Sequence, residues 1–408
     1  MLNAFGSEAR RRMRERGVSE RALARQVGYD PGFLNKVLNG KKPLGAKLAA
    51  LIDKALGANG ELAALAETPA GTVAPTGATA TLSAGLPQMA WLAARWRAGP
   101  ELVQQLRERN ARLRRLDDYL GGADTYLTYM NELQATMTLL RNITATELVR
   151  RDLLAVVAEQ AQQAGWAAFD AGWLPDARRL FETSVQAARD AGDAALAANG
   201  VCYIAYQETN TGRGGAGTAE AACGMAGRNA APTLRVLLLG RLAWAHALVG
   251  HPDATDRALA MAEEALSRDD GSGPDWTYWV NRAEVEIMAG RCWTALHRPL
   301  RAVPILEDTL ATYDGTHARE KALYSTWLAE AYLDAREPEQ AAMIAGQALE
   351  AASGVASARP RERAAMLMRR LEPYRRLPAV ASVLDRAARD AIPLPSGPPI
   401  PGTEPTQP

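Results

Sequence analysis

The chain has 408 residues, 48% of them hydrophobic, a formal net charge of +1 and three cysteines. It is longer than one hydrophobic core usually supports, so two or more units are expected. Cys202, Cys223 and Cys292 are odd in number, widely spaced and set in apolar helical sequence. That pattern excludes a disulfide framework and a paired-cysteine zinc site, and fits buried thiols in a reducing cytosol. The N-terminus opens on charged helix and no run reaches membrane-spanning length, so a soluble cytoplasmic chain with no membrane partner is expected.

The charge is unevenly placed. Residues 1–65 hold twelve Lys/Arg against six Asp/Glu, leaving 35 against 40 in the remainder. A basic N-terminal piece on an acidic body points to an anionic partner for the small piece alone.

In chain order, residues 1–66 read as a compact Arg-rich helical domain. Arg10, Arg11, Arg12, Arg14 and Arg16 line its first helix. Ser19 is placed to cap "ERALARQV", which ends at Gly28, and Ala24 is small, as a helix crossing requires. Asp30 caps the next helix and Pro31 takes its first position, where the missing N–H costs nothing. Leu34, Val37 and Leu38 form its buried face, and Asn39-Gly40 ends it with Gly40 at the left-handed position. "LAALIDKAL" (48–56) supplies a following helix.

Helix, helix, sharp turn, short helix, two lysines, helix: over residues 3–60 this resembles the helix-turn-helix of the Xre/Cro repressor family. The resemblance implies a five-helix domain that binds double-stranded DNA with the short helix in the major groove. It places Asp30, Pro31, Gly32, Asn35 and Lys36 at base edges, where Asn35 can pair with adenine and Lys36 can reach guanine or phosphate. Asn39, Lys41 and Lys42 would hold the backbone, as would Arg21 and Arg25 on the preceding helix. Glu20 departs from the family pattern, since its charge is unfavourable near phosphate. One such unit makes few contacts, so a homodimer on a two-fold site is expected.

Residues 67–87, rich in Ala, Thr, Gly and Pro, read as a flexible linker, and the Pro-rich residues 392–408 as a disordered tail. Between them, residues 88–391 read as helical throughout, so the chain is all-α. A spacing of four and three that opens on a small residue recurs after a turn in four segments: Ala177, Phe181 and Ser184; Ala258, Ala262 and Ala265; Ala302, Leu306 and Thr309; Ala341, Ala345 and Ala348. The steps of 81, 44 and 39 residues between first members resemble lengthened tetratricopeptide repeats, which implies an α-solenoid of stacked helix hairpins. The segment "RERAAMLMRRLEPYRRL" and the helix after it read as a polar-faced C-terminal cap.

The four histidines show no metal spacing, and "GRGGAGT" (212–218) lacks the lysine and strand of a phosphate loop and reads as a turn. No catalytic constellation, metal site or cofactor motif emerges, so no enzyme is expected. Asn199, Tyr203, Tyr206 and Asn210 share a stripe at three- and four-residue spacing. Trp279 and Asn281 lie in an aromatic cluster, and Arg241 and Trp244 on the helix between. These eight are the candidate contacts for a peptide, small molecule or protein in a concave groove. The layout resembles the Rgg/PlcR/PrgX class of peptide-sensing regulators and the helix-turn-helix plus repeat regulators of Streptomyces. It implies a nucleoid-associated transcriptional regulator tuned through its body. The alternative is a scaffold that recruits another protein, with DNA binding constitutive or secondary.

Overall fold

A computed structural model describes residues 4–16, 18–27, 29, 31–38, 46–58, 99–227, 229–313, 318–353 and 356–389. The expected linker, the Pro-rich tail and the fifth helix of the first domain lie outside them. The chain divides into two units, residues 1–85 and 86–408. The described residues are helical almost throughout.

The first unit holds α1 (Ala4–Glu15), α2 (Glu20–Val27), α3 (Pro31–Leu38) and α4 (Ala46–Ala55). Its core joins Phe5, Ala9 and Met13 of α1 to Leu23, Ala24, Leu34, Val37, Leu38 and Ile52. Ser19 Oγ accepts from Ala22 N at 3.2 Å, which fixes the start of α2. Ala24 is fully buried, and the chain leaves α2 as Tyr29 N donates to Ala24 O at 3.0 Å.

The second unit begins with α5 (Pro100–Arg114), a 3-10 turn at Arg115–Asp118 and α6 (Gly122–Asn142), followed by α7 (Glu147–Asp170) and α8 (Leu174–Ala191). Then come α9 (Ala194–Asn210), α10 (Ala216–Ala226), α11 (Pro232–Leu248) and α12 (Pro252–Leu266). The last three pairs are α13 (Arg282–Ala295) with α14 (Pro299–Ala311), α15 (Ala318–Asp334) with α16 (Pro338–Ser353), and α17 (Ala358–Leu371) with α18 (Pro378–Arg389).

From α7 onward each odd-numbered helix packs on its even-numbered successor and on the next odd-numbered helix. The odd helices form an inner row and the even ones an outer row. Every small-residue position picked out in α8, α12, α14 and α16 is buried. The reason is close approach within the pair: a Cβ on Gly165 would meet the Phe181 ring at 2.7 Å, and one on Gly290 would meet Leu306 Cγ at 2.5 Å.

The turns repeat as well. Gly172, Gly250, His297 and Arg336 have φ of 84°, 74°, 54° and 67°, each just before a helix that opens with proline at its first or second position. The following residue then donates back over a full turn: Trp173 to Ala168 at 2.8 Å, His251 to His246 at 3.0 Å, Arg298 to Trp293 at 2.8 Å and Glu337 to Tyr332 at 2.9 Å.

The inner row does not end freely. Asp170, at the end of α7 and with no exposed surface, accepts from Ser357 Oγ at 2.8 Å, Arg359 Nε at 2.6 Å and Gly122 N at 2.9 Å. The helix at 358–371 therefore closes back on α7, where the sequence suggested only a polar cap. Its first turn is buried because Asp170 draws it in.

Candidate functional site

Two places in the chain collect the expected functional residues. The first is the surface around α3. Asn35 is exposed there, and its Nδ2 donates to Glu20 Oε2 at 2.7 Å, while Arg10 Nε donates to the other Glu20 oxygen at 3.3 Å. Glu20 thus ties the first turn of α2 to α3 and to α1. Arg11 and Arg12 both pair with Glu8, at 2.5 and 2.7 Å, so these arginines of α1 are engaged within the domain. Arg25, at the end of α2, is exposed.

The second place is a partly open cavity of about 550 Å³ lined by the inner row of the second unit. An inner helix packs against its own partner and two inner neighbours, so one narrow stripe of it is left facing the centre. Trp166, Tyr206, Arg241, Glu284, Tyr324 and Arg359 mark those stripes on α7, α9, α11, α13, α15 and α17. The 3-10 turn after α5 walls one side. Asp117 accepts from Trp166 Nε1 and from Arg319, each at 3.0 Å, Tyr278 donates to Asp118 at 2.5 Å, and Arg114 donates to Asp275 at 2.5 Å.

The electrostatics centre on Tyr206. Its hydroxyl accepts from Arg291 Nη2 at 3.0 Å, and the Arg241 guanidinium lies over its ring at 3.9 Å. Burial opposes ionisation of this phenol, but Arg291, Arg241 and Arg359 outweigh it and pull the pKa down to about 7. Glu284 moves the other way. Burial first and the nearby Glu320 second raise its carboxyl above the usual range, while the phenols of Tyr313 and Tyr324 donate to it at 3.2 and 3.3 Å.

A family described as a helix-turn-helix domain matches residues 4–66. The N-terminal unit carries a helix-turn-helix domain. Among curated proteins, none matches the chain. The helix-turn-helix domain supports a DNA-binding regulator. No described helix is long and apolar enough to cross a membrane.

Within the helix-turn-helix domain, Arg21 and Arg25 lie on α2, and Pro31, Gly32, Asn35 and Lys36 on α3. Asp30, Asn39, Lys41 and Lys42 lie outside the described residues. In the body, Asn199, Tyr203, Tyr206, Arg241, Trp279 and Asn281 all line the cavity. Asn199 is tied to Gln162 at 2.8 Å, and Asn281 spends its side-chain oxygen capping α13 through Glu284 N at 3.1 Å. Two of the eight body residues fall elsewhere. Trp244 is 1% exposed and packs edge-on against Trp327 at 5.0 Å, because three residues beyond Arg241 turns it toward α15. Asn210, in the last turn of α9, donates to the Tyr206 carbonyl at 2.7 Å instead of pointing into the cavity.

Sequence reasoning missed Arg291, Glu284, Trp166 and the arginines Arg114, Arg319 and Arg359. For Arg291 a signal existed: a lone charge in the apolar run "IMAGRCW" of a helix buried on most sides. The others sit in charged stretches where nothing local marks an inward direction.

Proposed function

We propose that the protein is an Xre-type transcriptional regulator in which a tetratricopeptide-like body binds a ligand and adjusts DNA binding by the head. One observation carries the reading. The same chain joins a helix-turn-helix domain to a helical body whose inner row surrounds a cavity of about 550 Å³, a size suited to a small organic molecule. In this reading the cavity binds and does not catalyse. The regulator acts as a homodimer, because two heads on a two-fold site supply the affinity that one lacks. It works in the cytoplasm on the nucleoid.

The size of the cavity, about 550 Å³, suits a compact ligand better than a long extended peptide. The test is genome-wide occupancy of the full chain against a variant with Asn35→Ala and Lys36→Ala. Loss of discrete binding sites in the variant is expected. Unchanged occupancy would sink the reading. Sedimentation of the full chain as a monomer at all concentrations would remove the dimer from it.

A further inference from the structure

Among the described residues, five arginines line the cavity: Arg114, Arg241, Arg291, Arg319 and Arg359. Three are matched with carboxylates. Arg114 meets Glu159 at 2.5 Å, Arg319 meets Asp117 at 2.9 Å and Arg359 meets Asp170 at 2.6 Å. Arg241 and Arg291 are not: among the described residues neither has a carboxylate at salt-bridge distance. Both are deeply buried, at 9% and 4% exposure. A buried guanidinium without a carboxylate partner is costly to a folded protein, and among the described residues the one group beside this pair that can turn anionic is the Tyr206 phenol, so an acidic ligand has a place to be received here.

The immediate surroundings fit that purpose. The Arg241 guanidinium lies over the Tyr206 ring at 3.9 Å, and among the described residues its N–H groups have no hydrogen-bond partner. Arg291 spends Nη2 on the Tyr206 hydroxyl and leaves Nε buried without a partner. Glu284 also lines the cavity, but two phenols hydrogen-bond it and it lies beyond salt-bridge distance of both guanidiniums. Next to this basic pair stands a wall of rings. Trp166 lies 5.7 Å from Tyr203 and 6.2 Å from Tyr206, centroid to centroid, and Trp276, Trp279 and Tyr324 add further rings to a lining that also holds the carboxylates Asp117, Asp118, Glu159, Glu284 and Glu320.

We propose that the cavity receives a small aromatic acid, with its anionic group seated on Arg241 and Arg291 and its ring system against the Trp166–Tyr203–Tyr206 wall. This rests on the reading of the cavity as a ligand site and names the ligand's chemistry. A planar fork of N–H donors suits a carboxylate or sulfonate held through two oxygens. The ring faces supply the apolar contact, while the Trp166 N–H and the Tyr206 hydroxyl are already engaged by Asp117 and Arg291.

The test compares two fluorescent probes with one ring skeleton on the full chain: anilinonaphthalene sulfonate, an anion, and phenylnaphthylamine, which lacks the acid group. One saturable site per chain is expected for the sulfonate, about tenfold or more tighter than for the amine, the effect of one charge-assisted contact. Naphthoate should displace it. Arg241→Gln should lower sulfonate affinity about tenfold while leaving amine affinity unchanged. Equal affinity for the two probes in the parent chain overturns the anionic assignment while keeping a ligand chamber. No saturable binding of either probe removes the chamber reading itself. The parent-chain comparison decides even where Arg241→Gln does not fold, and circular dichroism reports whether it has.

Discussion

Asn35 Nδ2 donates to Glu20 Oε2 at 2.7 Å, so the amide expected to read a base is held by a carboxylate from the neighbouring helix. Glu20 fixes the orientation of Asn35, and in doing so it keeps a negative charge beside the helix meant for the groove. That charge opposes phosphate, and the opposition weakens as salt screens it. Replacing Glu20 with Gln keeps an acceptor for Asn35 and removes the charge. Glu20→Gln should bind a random-sequence duplex about three- to tenfold more tightly at low salt. The gain should shrink as ionic strength rises, which fluorescence anisotropy across a salt series would show.

The contact between Asp170 and Arg359 decides whether the inner row closes. Burial alone would raise the Asp170 carboxyl, but Arg359, Arg319 and the Gly122 N–H more than offset it and hold its pKa below the ordinary value. A carboxylate with a depressed folded pKa contributes stability that is full above its unfolded pKa and is lost as pH falls through the folded one. Asp170→Asn should therefore cost about 3 kcal/mol near neutral pH, because it leaves the half-buried Arg359 without its carboxylate. The penalty should narrow below the normal carboxylate range. Urea unfolding of the two proteins at a series of pH values measures both effects.

Much of the architecture was legible because its causes are local. Ser19, Ala24, Leu34 and Leu38 each act within a turn or a helix crossing, so their types and spacing announce the helix-turn-helix. The buried small residues of α8, α12, α14 and α16 were equally readable, since each lies against its own hairpin partner. Ring closure was not. Asp170 finds Arg359 across 189 residues and Asp117 finds Arg319 across 202, and no periodicity encodes a meeting at that separation. The cavity was half-legible for the same reason. Tyr203 and Tyr206 stand out by their stripe and Arg241 by its helix between the aromatic groups, whereas Arg319 and Arg359 lie in polar segments that look like solvated faces.

The repeated turn offers a stability test. Glycine occupies the left-handed position in two of the four turns, but Arg336 occupies it in the last with φ of 67° and its side chain exposed. A side chain there costs about 1 kcal/mol that glycine does not incur. Arg336→Gly should raise stability by up to about 1 kcal/mol, less what glycine adds to the entropy of the unfolded chain. His297→Gly should gain less, since the imidazole Nδ1 is paired with Asp334 at 2.8 Å and that contact would be lost. Thermal denaturation of the two variants side by side would show the order.

Tyr206 supplies the last prediction, because its phenol is pulled to about 7 by the same guanidiniums assigned to the ligand's acid group. Its folded pKa lies below its unfolded value, so ionisation adds stability as pH rises from about 7 toward the unfolded value of 10.0, and that contribution is lost as pH falls back through 7. The tyrosinate band in ultraviolet difference spectra should appear with a midpoint near 7 in the parent chain. In Arg291→Met the midpoint should move upward, since the nearest attracting charge and its hydrogen bond are gone while burial remains. An anionic probe competes with the tyrosinate for both arginines, so its affinity should fall as pH rises through that midpoint. Affinity of the neutral probe should stay level over the same range, and a parallel fall in both would refute the competition.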